Sequence, residues 1–287
     1  MLDLALSVLF SSLIFVIFKL YALYKVETSY AIIVNYVVAC LVGLFFYSGE
    51  VALAELPKKS WFAGTFALGL LFIIVFNLMA VTSQKVGVSV ASVAAKMSLA
   101  IPVLFGLVLY NEKLGALKII GIILALAAVY FASVKEKTPS LKRSALLLPV
   151  LVFLGSGLID TSIKYIEETH IAKNEFPLFS ATVFASAAGI GMVFVLLNSV
   201  RRPLKFNFRN ILGGIALGIP NYFSILFLLK ALNGQGLSSA SVFTINNVAI
   251  VMFSTMLGIV LFKEKISPKN WGGISLAVVS ILLVALS

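Results

Sequence analysis

The sequence predicts an all-α polytopic membrane protein of ten transmembrane helices, arranged as two inverted five-helix repeats. Three observations lead there. The 287 residues are 61% hydrophobic and 11% charged, with a mean hydropathy of +1.10, whereas a soluble domain carries roughly a quarter charged residues. Ten apolar windows reach membrane length, which is about 20 residues at 1.5 Å rise for a hydrocarbon core of about 30 Å. Residues 4–134 recur in altered form as residues 145–287, with five windows in each copy. Five is odd, so the second copy enters the bilayer from the face opposite the first.

The windows run 3–24, 29–48, 60–82, 86–110 and 115–134, then 145–166, 176–198, 210–232, 237–262 and 268–286. A basic linker at 135–144 separates the first repeat, 1–134, from the second, 145–287. The windows are apolar on all faces, which excludes the alternating strands of a membrane β-barrel. The first is too long for a signal-peptide core and lacks a basic start, so it reads as a retained helix. Trp61 and Trp271 open the third and tenth windows as interfacial anchors.

The repeat is legible residue by residue. Ser11-Ser-Leu-Ile with Lys19 matches Ser156-Gly-Leu-Ile with Lys164, an offset of 145. Gly64 to Gly69 lies over Gly213 to Gly218, and Ala91-Ser-Val over Ala240-Ser-Val, both at 149. GLVLYNEKL from Gly106 corresponds to GIVLFKEKI from Gly258 at 152, so the ninth window holds three extra residues, nearly one turn. Gly214-x-x-x-Gly218 and Thr65-x-x-x-Gly69 are small-x-x-x-small patterns that let helix backbones approach closely. A crossing within one chain is favoured over a dimer interface, because two halves already share the chain, and a monomer is expected.

The net charge of +11 does not indicate nucleic acid, because the basic residues sit in connections. Thirteen follow spans one, three, five, seven and nine, and six lie in the other connections, leaving Lys19, Lys96 and Lys164 inside spans. By the positive-inside rule this bias places both termini outside. The single cysteine, Cys40, cannot form an intrachain disulfide.

The paired fourth and fifth windows of each half end Glu112-Lys113-Leu and Glu264-Lys265-Ile before a glycine-bearing segment, and Pro102 stands in Ile-Pro-Val-Leu-Phe-Gly. In these features the chain resembles the drug/metabolite transporter superfamily, in its ten-helix EamA-type branch. The second half has Ser254 near the place of Pro102. The resemblance implies a central cavity lined by spans one, three, four, six, eight and nine, with five and ten as scaffold. It also implies export, residence in the cytoplasmic (inner) cell membrane and cytoplasmic termini, the last opposite to the charge bias.

Charge at the bilayer centre costs about 2.5–3.5 kcal/mol on insertion scales, so intramembrane ionisable residues point to function. Lys96, about ten residues into the fourth window, is the leading substrate-binding candidate: it faces the cavity and holds an anionic group, or it snorkels or pairs with a distant acid. Lys19 and Lys164 occupy matching places, as symmetric gate residues or as interfacial lysines. Asp160 is the one acid deep in a span. It either carries a coupling proton or is permanently paired with Lys164, four residues on along the same face. Asn77, Asn221, Tyr222 and Asn246 line the same cavity or bond neighbouring helices. Pro102 and Pro220 each free a backbone carbonyl, tolerated where it lines a wet cavity. The expected site therefore lies at the midplane between spans four and nine, flanked by three and eight. Glu112 and Glu264 read as interfacial charges that end their spans.

Inverted repeats and a buried cation predict a secondary transporter that moves a small polar metabolite by alternating access, an amino acid or organic acid first. His170 is the single histidine, and no H-E-x-x-H, G-x-S-x-G or P-loop motif is present, so neither catalysis nor a cofactor or metal is expected. The rivals are efflux of hydrophobic or cationic compounds, which wants an unpaired buried acid, and a non-transport intramembrane enzyme or scaffold.

Overall fold

The computed structural model describes residues 1–47, 53–110, 115–133, 144–171, 175–199, 207–233 and 239–285. Glu112, Lys113 and the basic residues between 135 and 143 and between 201 and 205 lie outside them. Among the described residues every regular element is helical. In chain order these are α1 (Leu2–Leu23), α2 (Thr28–Phe45), a 3₁₀ segment (Leu53–Lys58), α3 (Phe62–Lys85), α4 (Val88–Met97), α5 (Ala100–Tyr110), α6 (Ala116–Ser133), α7 (Ser144–His170), α8 (Phe176–Ser199), α9 (Phe208–Asn233), α10 (Ser239–Phe262) and α11 (Pro268–Ala285). Eight stretches are long and apolar enough to cross a membrane, counting α4 with the start of α5 as one, and α6 adds a shorter apolar run, Ile119–Ala132. Large apolar side chains such as Ile123, Leu154, Phe194 and Leu197 are exposed, as lipid-facing positions are. The chain is a multi-pass α-helical membrane protein.

Two helices depart from the sequence expectation. The window 145–166 continues as helix to His170, which the sequence places in a loop. The window 86–110 is not one helix: α4 stops at Met97, Ser98 and Leu99 form a turn, and α5 starts at Ala100. Pro102 is the cause. It has no N–H to donate to the Ser98 carbonyl one turn back, and its ring clashes with that carbonyl. The Ser98 carbonyl instead accepts from Ile101 N at 2.8 Å, a tighter three-residue closure. Pro220 does not break α9, which runs through it.

Glycines and small residues set the crossings. Gly214 and Gly218 face α2: a Cβ on Gly218 would lie 2.7 Å from Val38 Cβ and 2.8 Å from the Asn35 carbonyl. Gly69 faces α8, where a Cβ would lie 2.7 Å from Ala187 N, and Thr65 and Ser186 hydroxyls meet beside it at 3.0 Å. Both small-x-x-x-small patterns thus serve crossings within the chain. A third joins α6 to α11. Gly273 packs on the Ala132 backbone, Asn270 Nδ2 donates to the Phe131 and Ala132 carbonyls at 3.0 and 2.8 Å, and the Ser280 hydroxyl donates to Gly121 at 2.7 Å. Lipid tails are as apolar as leucine, so close packing and such bonds hold the helices together in place of a hydrophobic drive. Around α1, α2, α3 and α8, buried Phe18, Tyr36, Phe76 and Phe184 pack ring against ring.

Outside the spans, Lys59 donates to Glu175 Oε1 at 2.6 Å and Trp61 Nε1 to Oε2 at 3.1 Å, tying the start of α3 to that of α8. The bond from Lys59, then that from Trp61, holds the Glu175 carboxyl below its ordinary range, and the same bond to Glu175 holds Lys59 above its own.

Two predictions follow from these contacts. Gly273→Ala pushes a methyl into the α6 backbone and lowers stability by about 1–3 kcal/mol. Its neighbour Gly272 has nothing within 4 Å of a Cβ, so Gly272→Ala leaves stability unchanged or raises it by up to about 1 kcal/mol. Thermal unfolding in detergent reads both, and equal effects would contradict the crossing. For the Glu175 tie, the folded carboxyl titrates lower than the unfolded one. Its contribution is complete above the ordinary glutamate value of about 4.3 and is lost as pH falls through the lowered native value. Glu175→Gln therefore removes an acid-side loss of stability, and with it the alkaline-side loss that comes as pH rises through the raised Lys59 value, both measured as unfolding temperature against pH.

Candidate functional site

The break in the fourth span puts a helix end, a cation and an acid in one place. Lys96 stands in the last turn of α4, where the partial negative charge of a helix C-terminus favours a cation, and it is half-buried. Along its own face, at about 100° per residue, lie Ser89 and Ser92, both buried. Two residues on, the Ser98 hydroxyl is 3.0 Å from Asp160 Oδ2 and 2.6 Å from the Ala95 carbonyl oxygen. Asp160 of α7 thus stands at the turn that follows Lys96.

Asp160 has an unusual setting on α7. At about 100° per residue it shares a face with Phe153 and Ser156, both buried, and lies roughly opposite the exposed Leu151, Leu154 and Leu158. Yet Asp160 is itself exposed. Its carboxyl reaches Ser98 at the turn between α4 and α5. Two glycines shape the neighbouring contacts on α7: Gly157 packs against Ile101 of α5, and a Cβ on Gly155 would come within 2.6 Å of Val75 of α3.

The other end of α4 is closed by a second constellation. Gly87 has φ 145°, a conformation open to glycine alone, and turns the chain from α3 into α4. Glu264, just past α10, reaches this N-terminus: Val88 N donates to Oε1 at 2.7 Å, and the Ser89 hydroxyl donates to Oε2 at 2.9 Å. Lys263, in the left-handed conformation at φ 53°, turns the chain so that Glu264 points inward, a conformation that costs a non-glycine residue about 1–2 kcal/mol. Lys19 Nζ lies 3.9 Å from Glu264 Oε1 and donates to the Gln84 carbonyl at 3.0 Å. The Gln84 amide in turn donates to the Phe18 carbonyl and to Thr28 Oγ1, both at 3.0 Å. Ends of α1, α3, α4 and α10 are thereby locked together.

The Ser98–Asp160 bond brings Asp160 to the turn that follows Lys96, between spans four and six rather than four and nine. Asp160 bonds Ser98, and Lys164 lies half-buried one turn beyond it on α7. Lys19 sits at the locked end. The uncharged candidates bond other helices. Asn77 donates to Ile73 of its own helix at 2.8 Å and accepts from Ser29 of α2 at 2.9 Å. Asn221 donates to Asn35 Oδ1 of α2 at 3.1 Å, and Asn246 accepts from Ser7 of α1 at 3.0 Å. Tyr222 stacks on Phe46 with centroids 6.1 Å apart. An apolar cavity of about 560 Å³ opens between α2, α3 and α8, lined by residues such as Cys40, Phe62, Phe66 and Ile190. It has little to orient a polar metabolite, since its Thr182 and Ser186 hydroxyls bond Leu178 and Thr65.

Sequence reasoning missed Ser98, Gly87 and the inward turn of Glu264. Pro102 carried the signal for the first, because a proline singles out the residue four before it. Nothing local marked Glu264 as a cap, since its partner is 176 residues away. Losing that cap of two hydrogen bonds, Glu264→Ala lowers stability by about 0.5–2 kcal/mol, whereas Lys19→Met, which loses a long ion pair and one bond to the Gln84 carbonyl, costs about 1 kcal/mol. Unfolding temperatures of the two variants in detergent check the order, and a larger loss for Lys19→Met would refute it.

No family model matches the chain. A crystal structure of a protein is similar over 98% of each chain with a TM-score of 0.57 at 14% identity, a likeness of fold alone. An uncharacterized protein of Haemophilus influenzae is 30% identical over 210 residues, 72% of this chain and 70% of the relative, and the chain belongs to the family of that protein.

Proposed function

We propose that the chain is a secondary transporter of the drug/metabolite type, built from two inverted five-helix repeats in the cytoplasmic membrane, that moves a small polar metabolite by alternating access. The observation that carries the reading is the broken fourth span, with Lys96 at its half-helix end and Asp160 across from it. In transporters, substrate and coupling sites gather at discontinuous helices near the midplane, where half-helix ends bring partial charge to the ligand. Ionisable groups are kept inside a membrane for a use that offsets their cost. Lys96 suits a carboxylate, which favours an amino acid or organic acid, and Asp160 suits proton exchange. The locked cluster at Glu264, Lys19 and Gln84 serves as the gate on one face, and Lys164, the repeat counterpart of Lys19, belongs to the other. Asn77, Asn221, Tyr222 and Asn246 then support the cavity walls.

Purified protein is screened by thermal shift against amino acids, organic acids, sugars and cationic dyes, because a ligand of the folded state raises its apparent stability. A carboxylate ligand is expected. Lys96→Ala is expected to abolish flux of that ligand in proteoliposomes while inserting normally. Flux near that of the unmodified protein would remove Lys96 from the site, and stabilisation by cationic dyes alone would turn the reading to efflux of cations.

A further inference from the structure

The Ser98 hydroxyl touches two oxygens, the Ala95 carbonyl at 2.6 Å and Asp160 Oδ2 at 3.0 Å. A serine has one hydrogen to donate and two lone pairs to accept with. It can donate fully to only one of the two oxygens, so both contacts are full two-centre hydrogen bonds together only when Asp160 brings a hydrogen of its own. The Ala95 carbonyl has a claim on the serine hydrogen. It belongs to the last four residues of α4, whose carbonyls have no partner within the helix. Ser98 is 1% exposed, so water is a poor substitute there.

We propose that Asp160 is a neutral carboxylic acid in this conformation, its O–H donating to Ser98 Oγ while the Ser98 hydroxyl donates to the Ala95 carbonyl. Ser98 is then a positioning residue that ties the proton on Asp160 to the break in the fourth span. When the proton leaves for water, the Ser98 hydrogen turns to the carboxylate, a charge-assisted bond roughly twice as strong as a neutral one. The Ala95 carbonyl loses its donor, and the break has to repack. The charged residues nearest the Asp160–Ser98 bond along the chain are Lys96 on α4, two residues before Ser98, and Lys164 on α7, one turn after Asp160. The titratable residues of α3, α5 and α6 are Lys85, Tyr110, Lys118 and Tyr130, all towards the ends of those helices. With Asp160 neutral, the Lys96 charge is left for a substrate carboxylate, so proton and anionic substrate favour one another. This inference rests on the transport reading and deepens it by naming the proton as the coupled ion.

Infrared difference spectra of the full-length protein in phosphatidylethanolamine and phosphatidylglycerol vesicles test it without any substrate. At neutral pH the unmodified protein is expected to show the C=O stretch of a protonated carboxyl. Asp160→Asn should remove that band, Ser98→Ala should shift it, and Ser98→Thr, which keeps the hydroxyl, should leave it in place. Matching elution of the variants on size exclusion separates these effects from misfolding. A carboxylate signature for Asp160 at neutral pH overturns the proposal, as does a protonated band that Ser98→Ala does not move. A protein that shows the band and transports nothing sinks the transport reading alone.

Discussion

The missing N–H of Pro102 organises the centre of this molecule. A proline at that position removes the bond the Ser98 carbonyl would accept and crowds the same carbonyl, so the fourth span ends at Met97 and restarts at Ala100. Two helix ends then lie within a membrane-length stretch where an intact helix would have none. Each carries partial charge and backbone groups with no partner inside its own helix, and two of these are met locally, the Ala95 carbonyl by the Ser98 hydroxyl and the Ser98 carbonyl by Ile101 N. Lys96, Ser98 and Asp160 are arranged around that consequence.

The short helix α4 is held at both ends by side chains from elsewhere. At its start, the Glu264 carboxylate takes the Val88 amide and the Ser89 hydroxyl. At its finish, the Ser98 hydroxyl takes the orphaned Ala95 carbonyl and meets Asp160. Glu264 follows α10 and Asp160 belongs to α7, so this ten-residue piece of the first half is clamped by two elements of the second. The charged groups at the break and those around Glu264 thus sit at the two ends of one short helix.

The remaining helices are joined by close approach rather than by charge. Gly214 and Gly218 bring α9 against α2, Gly69 brings α3 against α8, and Gly273 brings α11 against α6. At such distances a buried amide or hydroxyl finds a partner on the facing helix, which explains why Asn221, Asn246 and Asn270 end in interhelical bonds. Each such bond contributes about 0.6–2 kcal/mol in a membrane, modest singly and sufficient to set register.

Composition and periodicity by themselves determined that the chain is helical and spans a membrane, because solvent preference is summed over residues and needs no partner. Glycine spacing likewise foretold close crossings, and Pro102 foretold a freed carbonyl. Lys96 and Asp160 stood out singly, since an ionisable residue inside an apolar window is visible in one dimension. The tertiary structure alone decided which of them meet. Asp160 and Lys164 are one turn apart on a helix, and the chain path nonetheless brings Asp160 to Ser98, beside the helix end that carries Lys96. Glu264 looked like the end of a span and became the cap of another helix 176 residues away. Amides at Asn77, Asn221 and Asn246 had the same appearance as cavity-lining residues, and only the position of the facing helix assigned them to bonding. Local signals report what a residue is, whereas hydrogen-bond direction and charge pairing depend on which backbone passes within about 3 Å, and that distance is set by the packing of the whole bundle.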